Sequence, residues 1–384
     1  MGKVICLNKK VIIFLCLIAF IVSMACVSAA DDVNQTIIGN ADDLVGGEDA
    51  LTVSLSDDNG NINASEENLV GADVSNLDND DFVGDSSHNG TNLYDDSELT
   101  QSFNSFQSLI DSSHAGDTLT LQYNYNNEHV STYKNITIDK ALNIDGNGHY
   151  FDEDCKSGIF LITASSVNLS NIVFRNPSGR AIIFYGNVND CIISNCTFSN
   201  ADLSAILFNE NVSNCIISDC TFSQCSNSAI VINGNVCNSS FSNKYSENSA
   251  QSRGGAIKFA GEVSNCNISG EFESNNATEY GGALYFNGNV FNCNISGLFS
   301  QNSASTMGGA LYFNKNVSNC NISGEFESNY ATEYGGAILF YGSLRDTNIS
   351  GEFINNTADT GGAIFFYSQS SGCNLSATFN DNKA

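Results

Sequence analysis

The sequence has no tryptophan, one proline and few basic residues, with 14 lysines and arginines against 42 aspartates and glutamates. Its formal net charge of −28 disfavours nucleic acid as a partner, because the phosphates of nucleic acids are also negative. After position 160 the basic residues are scattered, and no adjacent pair of aspartates accompanies them. Hydrolysis of polysaccharides needs converging carboxylates and lyase chemistry needs a base beside an acidic cluster, so we expect no enzymatic activity.

One acidic cluster does occur, where Asp145 and His149 precede the run Asp152-Glu153-Asp154. It follows a short strand and contains the turn sequence DGNG at 145–148, so turn formation is favoured over a catalytic role. No Ser/His/Asp set and no phosphate-binding loop is visible in the sequence. We therefore expect neither a cofactor nor a metal.

The first 30 residues have the pattern of a secretory signal peptide. Three lysines precede an apolar run from Val11 to about Val27, and the small residues Ser28-Ala29-Ala30 follow it. This order predicts export, with cleavage after Ala29 or Ala30. An uncleaved membrane anchor is the alternative, because the apolar run is long enough to span a bilayer.

Residues 31–96 contain 17 aspartates and glutamates and no lysine or arginine. A segment with so much charge and so few aromatic residues cannot bury enough apolar surface to order itself, so a disordered acidic linker is predicted. Calcium binding is the alternative. It is disfavoured because the paired aspartates lack the alternating spacing of a calcium loop.

The rest of the chain is repetitive. The tripeptide Gly-Gly-Ala recurs with steps of 27, 27, 27 and 26 residues, and its first glycines are Gly254, Gly281, Gly308, Gly335 and Gly361. Short apolar runs rich in Phe, Ile and Val alternate with Asn, Ser and Gly, which is typical of strands joined by turns. A fixed period of this length indicates stacked structural units, none of which can bury a core alone.

These features predict an all-β fold for residues 97–384, a right-handed parallel β-helix of about ten rungs. Each repeat forms one rung, and equivalent residues of neighbouring rungs lie about 4.8 Å apart. One inward row of aromatic side chains is predicted at Phe259, Phe286, Phe313, Phe340 and Phe366. Between residues 167 and 245 the period falls to 24, which we attribute to three residues missing from one loop.

Both ends of this β-helix need cover. A short amphipathic helix beginning after Ser97, with Phe103 and Phe106 on its apolar face, is predicted to cap the first rung. The last rung is incomplete at Ala384. An unfinished rung exposes unpaired backbone and apolar core, so end-to-end self-association of the protein is predicted.

Cysteines recur at one repeat position, at residues 191, 215, 237, 266, 293, 320 and 373. Stacked at about 4.8 Å, they are too far apart for the usual Cβ separation of a disulfide. No Cys-x-x-Cys pair, which would favour a metal or redox site, occurs in the sequence. We predict free, buried thiols that behave as small apolar side chains.

Phe-x-x-Asn followed by Gly-Gly-Ala and Ile or Leu occurs at 272–284, 299–311, 326–338 and 353–364. This pair of motifs resembles the repeats of the chlamydial polymorphic outer-membrane proteins. From its leader to NITIDKALNIDGNGH at 135–149, the whole chain resembles more the adhesin-like surface proteins of methanogenic archaea. The resemblance covers roughly residues 97–384, and implies a β-helix displayed at the cell surface for adhesion, without enzymatic activity.

The favoured function is thus that of a secreted or cell-surface adhesin-like protein, with a binding or structural role at the cell envelope. Its partner would be a cell-surface glycan or protein. A carbohydrate-active β-helix enzyme, either a polysaccharide lyase or a hydrolase, is the alternative, because such enzymes use this fold. A passive spacer in a surface layer is a third interpretation.

The predicted binding residues follow from strand alternation. If Lys258 points outward, its equivalents on the neighbouring rungs point outward too. We therefore predict a flat, largely apolar stripe that includes Lys258, Tyr285, Tyr312, Leu339 and Phe365. A stripe this long exceeds what a monomer usually exposes, so either a partner or another part of the chain covers it. Tyr285 and Tyr312 would stack on sugar rings or anchor a protein.

Overall fold

The computed structural model describes residues 100–126, 135–152 and 158–384, which belong to one compact unit, His88–Ala384. The predicted signal peptide (1–30) and acidic linker (31–96) lie outside the described residues. No helix within the described ranges combines the length and the apolar composition needed to cross a bilayer.

The described chain is a parallel β-solenoid of about ten rungs, as predicted. Its strands form four parallel sheets, and sheet 2 supplies one strand to each rung. The ten strands of sheet 2 are Ile136–Ile138, Phe160–Ile162, Ile182–Phe184, Ile206–Phe208, Ile230–Ile232, Ile257–Phe259, Leu284–Phe286, Leu311–Phe313, Ile338–Phe340 and Ile364–Phe366.

Sheet 1 runs along another side of every rung and has 16 strands. In the early rungs it is divided into two short strands, which merge into one long strand from Ile216 onward. The strands are Thr100–Ser102, Thr118–Thr120, Asn124–Asn126, Asn143–Asp145, Tyr150–Asp152, Asn168–Ser170, Val173–Arg175, Ile192–Ser194, Thr197–Ser199, Ile216–Ser223, Ser240–Ser246, Asn267–Glu273, Asn294–Ser300, Asn321–Glu327, Asn348–Ile354 and Asn374–Asn380.

Two smaller sheets complete the rungs. Sheet 3 has eight two-residue strands: Val188–Asn189, Val212–Ser213, Val236–Cys237, Val263–Ser264, Val290–Phe291, Val317–Ser318, Leu344–Arg345 and Ser370–Ser371. Sheet 4 is confined to the 27-residue rungs, and its four strands are Ser249–Ala250, Asn276–Ala277, Ser303–Ala304 and Tyr330–Ala331.

The single α-helix of the described chain, α1 (Phe103–Ser112), covers the first rungs. Its N-cap is Ser102, whose side chain accepts a hydrogen bond from the Ser105 amide, so the predicted start at Ser97 is wrong. Thr100–Ser102 instead forms a strand that pairs with Asn124–Asn126. Phe106 of the helix packs on Phe151, with ring centroids 5.4 Å apart, and so extends the aromatic core of the solenoid.

Two columns of stacked aromatic rings form the core. The predicted row from Phe259 to Phe366 is confirmed, with ring centroids 4.8 to 5.3 Å apart and planes within 5° of parallel. The second column follows sheet 1, and its members are Phe174, Phe198, Phe222, Tyr245, Phe272, Phe299, Phe326, Phe353 and Phe379. Each buried ring contributes about 1.5 to 3 kcal/mol, so these columns are a principal source of stability.

A buried column of asparagines lies beside the second aromatic column. Its members are Asn248, Asn275, Asn302, Asn329, Asn356 and Asn382. At Asn302, the backbone amide and Nδ2 both donate to Oδ1 of Asn329, each at 3.0 Å, and Nδ2 also donates to the Phe272 carbonyl at 2.9 Å. The asparagine of the Phe-x-x-Asn motif therefore joins three consecutive rungs through hydrogen bonds in the interior.

The cysteine column is free and largely buried, as predicted, but it is not merely apolar. Cys293 accepts a hydrogen bond from the Cys266 amide at 3.4 Å and donates to the Phe291 carbonyl at 3.3 Å. Ser239 and Thr347 occupy the same column and donate in the same way, each at 2.8 Å. The assignment of Cys237 to this column is wrong, because Cys237 pairs with Ser213 and Ser264 in sheet 3.

The change in period has two parts. Seven positions separate Phe222 from Ala229, whereas eleven separate the equivalent Phe272 and Ala283. The longer loop is partly offset at the preceding corner, where the register shifts between Ser218 and Thr221 and one residue is lost. The predicted loop is therefore the right one, but it gains four residues instead of three.

At the C-terminal end, Phe366, Leu375 and Phe379 are exposed in the last strands of sheets 1 and 2. Their equivalents one rung earlier, Phe340 and Phe353 among them, are buried. End-to-end association of two copies stays a prediction.

Asn302→Ala should lower the free energy of unfolding by about 3 kcal/mol, because it leaves buried donors and acceptors on two neighbouring rungs without partners. The exposed Asn289, which bonds Glu262 at 3.2 Å, offers a matched control, and Asn289→Ala should change stability by less than about 0.5 kcal/mol. Urea denaturation followed by circular dichroism measures both. Equal effects of the two substitutions would contradict a structural role for the column.

Cys293→Ser should be tolerated better than Cys293→Ala, because a hydroxyl can replace both hydrogen bonds of the thiol. The alanine leaves the buried Cys266 amide without an acceptor, which costs about 1 to 3 kcal/mol. Thermal unfolding of both variants under reducing conditions tests the order. If alanine proves the more stable, the cysteine column acts only through apolar packing.

Candidate functional site

The five predicted binding residues do form one column on sheet 2. Lys258 pairs with Tyr285, Tyr285 with Tyr312, Tyr312 with Leu339, and Leu339 with Phe365 on successive strands. The prediction that they form an exposed stripe is wrong. Only 2% of Tyr285, 4% of Tyr312 and 1% of Leu339 is exposed, while Lys258 and Phe365, at the two ends, are partly buried.

The cover comes from the chain itself. The four residues added to each 27-residue rung bring Tyr280, Met307 and Tyr334 into a row of parallel bridges outside sheet 2. These side chains pack on Tyr285, Tyr312 and Leu339 and make a second small core outside the main one. Of the two explanations for how the stripe is covered, cover by another part of the chain is therefore the correct one.

The Gly-Gly pair makes this double layer feasible. Gly281 has a φ of +64°, the positive φ expected of the turn. Its neighbour Gly282 has no room for a side chain, since an added Cβ would lie 2.2 Å from the carbonyl oxygen of Gly309. The loop can therefore fold back tightly against the next rung.

One edge of the second core is open and forms a shallow cavity of about 340 Å³, hereafter the tyrosine cavity. Tyr285 and Tyr312 line it from sheet 2, and Met307 lines it from the covering layer. Asn287, Asn314 and Tyr341 line its outer side. Of the five predicted binding residues, Tyr285 and Tyr312 thus line a cavity, whereas Lys258, Leu339 and Phe365 do not.

A chain of hydrogen bonds holds the wall of this cavity. The Tyr285 hydroxyl donates to Oδ1 of Asn287 at 3.0 Å, and Nδ2 of Asn314 donates to the same oxygen at 3.0 Å. Arg253 donates to the Tyr285 hydroxyl at 3.4 Å and forms an ion pair with Glu279 at 3.0 Å. Because its carboxylate partner is so close, Arg253 brings little net charge to the cavity.

Tyr312 differs from Tyr285 in its hydrogen bonding. Its ring stacks on Tyr280 and Tyr285, with centroids 4.8 and 5.6 Å away. Within the described part of the chain, its hydroxyl has no hydrogen-bond partner. Burial raises the pKa of the Tyr312 phenol, and the nearby Tyr285 raises it further, so the hydroxyl stays protonated and is a donor.

An exposed pair of tyrosines extends from the cavity. Tyr341, which lines the cavity, stacks on Tyr367 of the next rung with centroids 4.5 Å apart, and 41% and 59% of these residues is exposed. The sequence analysis missed this pair. A signal was present, because the position after the Phe row is Asn at 287 and 314 and changes to Tyr at 341 and 367.

Within the acidic cluster considered for catalysis, the Asp145 carboxylate is held by hydrogen bonds of its turn and of the neighbouring rung. Asp145 accepts from Nδ2 of Asn171 at 2.8 Å and from the Asn147 amide at 3.0 Å, and these bonds lower the pKa of its carboxyl. Glu153 and Asp154 lie outside the described residues. Among the residues that are described, no group of three His, Cys, Asp or Glu side chains is placed to hold a metal.

Residues 296–314 match the Chlamydia polymorphic membrane protein repeat. This segment contains one Gly-Gly-Ala turn together with Met307, Tyr312 and Asn314 of the tyrosine cavity. The recognised chlamydial repeat motif is thereby supported, whereas the wider resemblance to archaeal adhesin-like proteins stays a prediction. No curated protein sequence matches the chain.

Solved structures of low similarity include three proteins. The Dettilon tailspike protein is 11% identical with a TM-score of 0.31, covering 74% of this chain and 68% of that one. PfbA, a surface adhesin of Streptococcus pneumoniae, is 11% identical with a TM-score of 0.37, covering 73% and 89%. ORF18 of Geobacillus virus E2 is 10% identical with a TM-score of 0.26, covering 70% and 61%. At such low similarity, function must be argued from the residues of this chain.

Tyr312→Ser should destabilise the protein by about 3 kcal/mol, since it removes a buried ring from the second core. The exposed Tyr341 is the matched control, and Tyr341→Ser should cost less than about 1 kcal/mol. Urea denaturation measures both variants. Little loss of stability for Tyr312→Ser would mean that the covering layer leaves the Tyr312 ring accessible.

Proposed function

We propose that the protein is an adhesin-like protein of the cell surface, which binds a glycan or protein through its 27-residue rungs. One observation carries the proposal. The segment that matches the chlamydial membrane-protein repeat, residues 296–314, also supplies Tyr312 and Asn314 to the tyrosine cavity. The repeat thus serves both to build the solenoid and to place potential binding groups at its surface.

The charge and the leader agree with this function. The net charge of −28 disfavours nucleic acid as a partner and leaves a cell-surface glycan or protein as the favoured one. Display outside the cell is proposed from residues 1–30, which have the pattern of a signal peptide. No cofactor is needed for binding of this kind.

Polysaccharide cleavage is the rival function, and a passive surface-layer spacer is the third. The hydrogen bonding of Asp145 supports a structural role for that carboxylate, since it accepts from the Asn147 amide of its own turn and from Asn171 on the neighbouring rung. No carboxylate is among the described residues that line the tyrosine cavity. The nearby Glu279 carboxylate is paired with Arg253. Binding without cleavage is therefore the function that these residues support best.

The labelled full chain should attach saturably to the surface of at least one cell type in a panel of archaeal, bacterial and animal cells. Unlabelled protein should compete for attachment, and Tyr341→Ala should weaken it because the exposed aromatic platform is lost. Flow cytometry measures attachment. Tyr185→Ala removes an exposed tyrosine away from the cavity and is the matched control.

Two outcomes would contradict the proposal. Failure to attach saturably to any cell of the panel would favour the passive spacer. Incubation of the same protein with plant and microbial polysaccharides tests the enzyme, and new reducing ends or unsaturated products would favour it. Attachment without such products supports the adhesin.

A further inference from the structure

The Tyr312 hydroxyl is a donor that has no hydrogen-bond partner within the described part of the chain. Only 4% of Tyr312 is exposed, and within the described ranges no acceptor lies at hydrogen-bond distance from its hydroxyl, which borders the tyrosine cavity. The equivalent Tyr285 hydroxyl is instead paired with Asn287, so Tyr312 is the tyrosine of this column whose hydroxyl is left for a ligand. The cavity therefore presents a donor that a ligand can satisfy.

An acceptor lies on the same wall. Nδ2 of Asn314 is used for Asn287, and this bond fixes the orientation of the amide. Its Oδ1 has no hydrogen-bond partner in the described part of the chain. A donor and an acceptor side by side fit a ligand hydroxyl, which both donates and accepts, or two hydroxyls on adjacent carbons.

The ring of Tyr341 forms part of the cavity wall, and stacking on Tyr367 supports it. Tyr341 stacks on Tyr367 on the side of the next rung, so its opposite face lies toward Asn314 and the cavity. A ring fixed in this way loses little conformational entropy when a ligand packs on it. Aliphatic C–H groups of a pyranose ring pack well on such a face, while the hydroxyls at the ring edge remain free for hydrogen bonds.

The charge around the tyrosine cavity and the volume of the cavity limit the kinds of ligand that fit it. Arg253 is compensated by Glu279 at 3.0 Å, so the cavity offers no unpaired cation to a carboxylate or sulfate. The strongly acidic chain as a whole also repels anionic glycans. A volume of about 340 Å³ is at the lower end of the range for small-molecule sites, about 300 to 1,000 Å³, and so suits a single ring.

We infer that the tyrosine cavity binds one neutral pyranose residue of a glycan. The sugar ring stacks on Tyr341, and its hydroxyls bond the Tyr312 hydroxyl and Oδ1 of Asn314. This inference rests on the proposed adhesin-like function and specifies its ligand. A polypeptide partner is the competing occupant of the cavity.

The test uses the full chain with the methyl pyranosides of galactose, glucose, mannose, N-acetylglucosamine and glucuronic acid. Saturation-transfer NMR detects binding, and calorimetric titration gives the Kd. At least one neutral pyranoside should bind, with saturation strongest on the C–H groups of one ring face. The glucuronide should bind no more tightly than the neutral sugars.

Three variants separate binding from folding. Tyr312→Phe keeps the buried ring and removes only the hydroxyl, so the Kd should rise about tenfold at unchanged stability. Tyr341→Ala should raise the Kd at least tenfold, because the stacking face is lost. Tyr185→Ala, at the same strand position six rungs earlier, should leave the Kd unchanged.

The inference fails if none of the neutral pyranosides binds, if Tyr341→Ala binds as wild type does, or if the glucuronide is preferred. Cell attachment without binding of any pyranoside would leave the adhesin-like function standing and favour a polypeptide partner. Binding of a pyranoside without attachment to any cell would support the cavity as a sugar site and overturn the adhesin-like function.

Discussion

In-register stacking of identical side chains is the constraint on which this solenoid depends. The buried asparagines depend on the neighbouring rungs for their hydrogen bonds, as where Asn275 bonds the equivalent Asn302 at 3.0 Å. A buried amide is costly unless its partner is present, so a rung out of register would leave unpaired groups on both of its neighbours. The asparagine column therefore fixes the register, while the aromatic columns supply most of the apolar burial.

The same constraint explains where the sequence varies. In the cysteine column the common feature is a side chain that donates to a carbonyl two residues earlier, and Cys293, Ser239 and Thr347 all do so. Where the period changes, residues are gained in one loop and one is lost at a register shift within sheet 1, and the flanking strands stay paired. The gain of four loop residues and the loss of one at the corner preserve every strand pairing of sheet 2.

The gained residues change the outer face of sheet 2. In the 24-residue rungs, Leu207 and Val231 lie on the outer face of sheet 2 and are only partly buried. In the 27-residue rungs, the added loop covers this face and leaves polar edges of Tyr285 and Tyr312 along a cavity. A short insertion repeated on stacked rungs thus converts an apolar face into a cavity with hydroxyl and amide groups, without disturbing the core.

The sequence by itself determined the period, the strands, the inward Phe row and the column that contains Tyr285 and Tyr312. Periodicity is enough for these, because each follows from identical residues recurring at fixed steps. Only the tertiary structure decided that the column is covered, that Ser102 caps the helix, and that Tyr341 and Tyr367 form an exposed stack. Strand alternation tells the two faces of a sheet apart, but whether a loop returns over one face depends on packing between residues distant from that strand. Coverage of Tyr312 by Tyr280 and Met307 is such a contact.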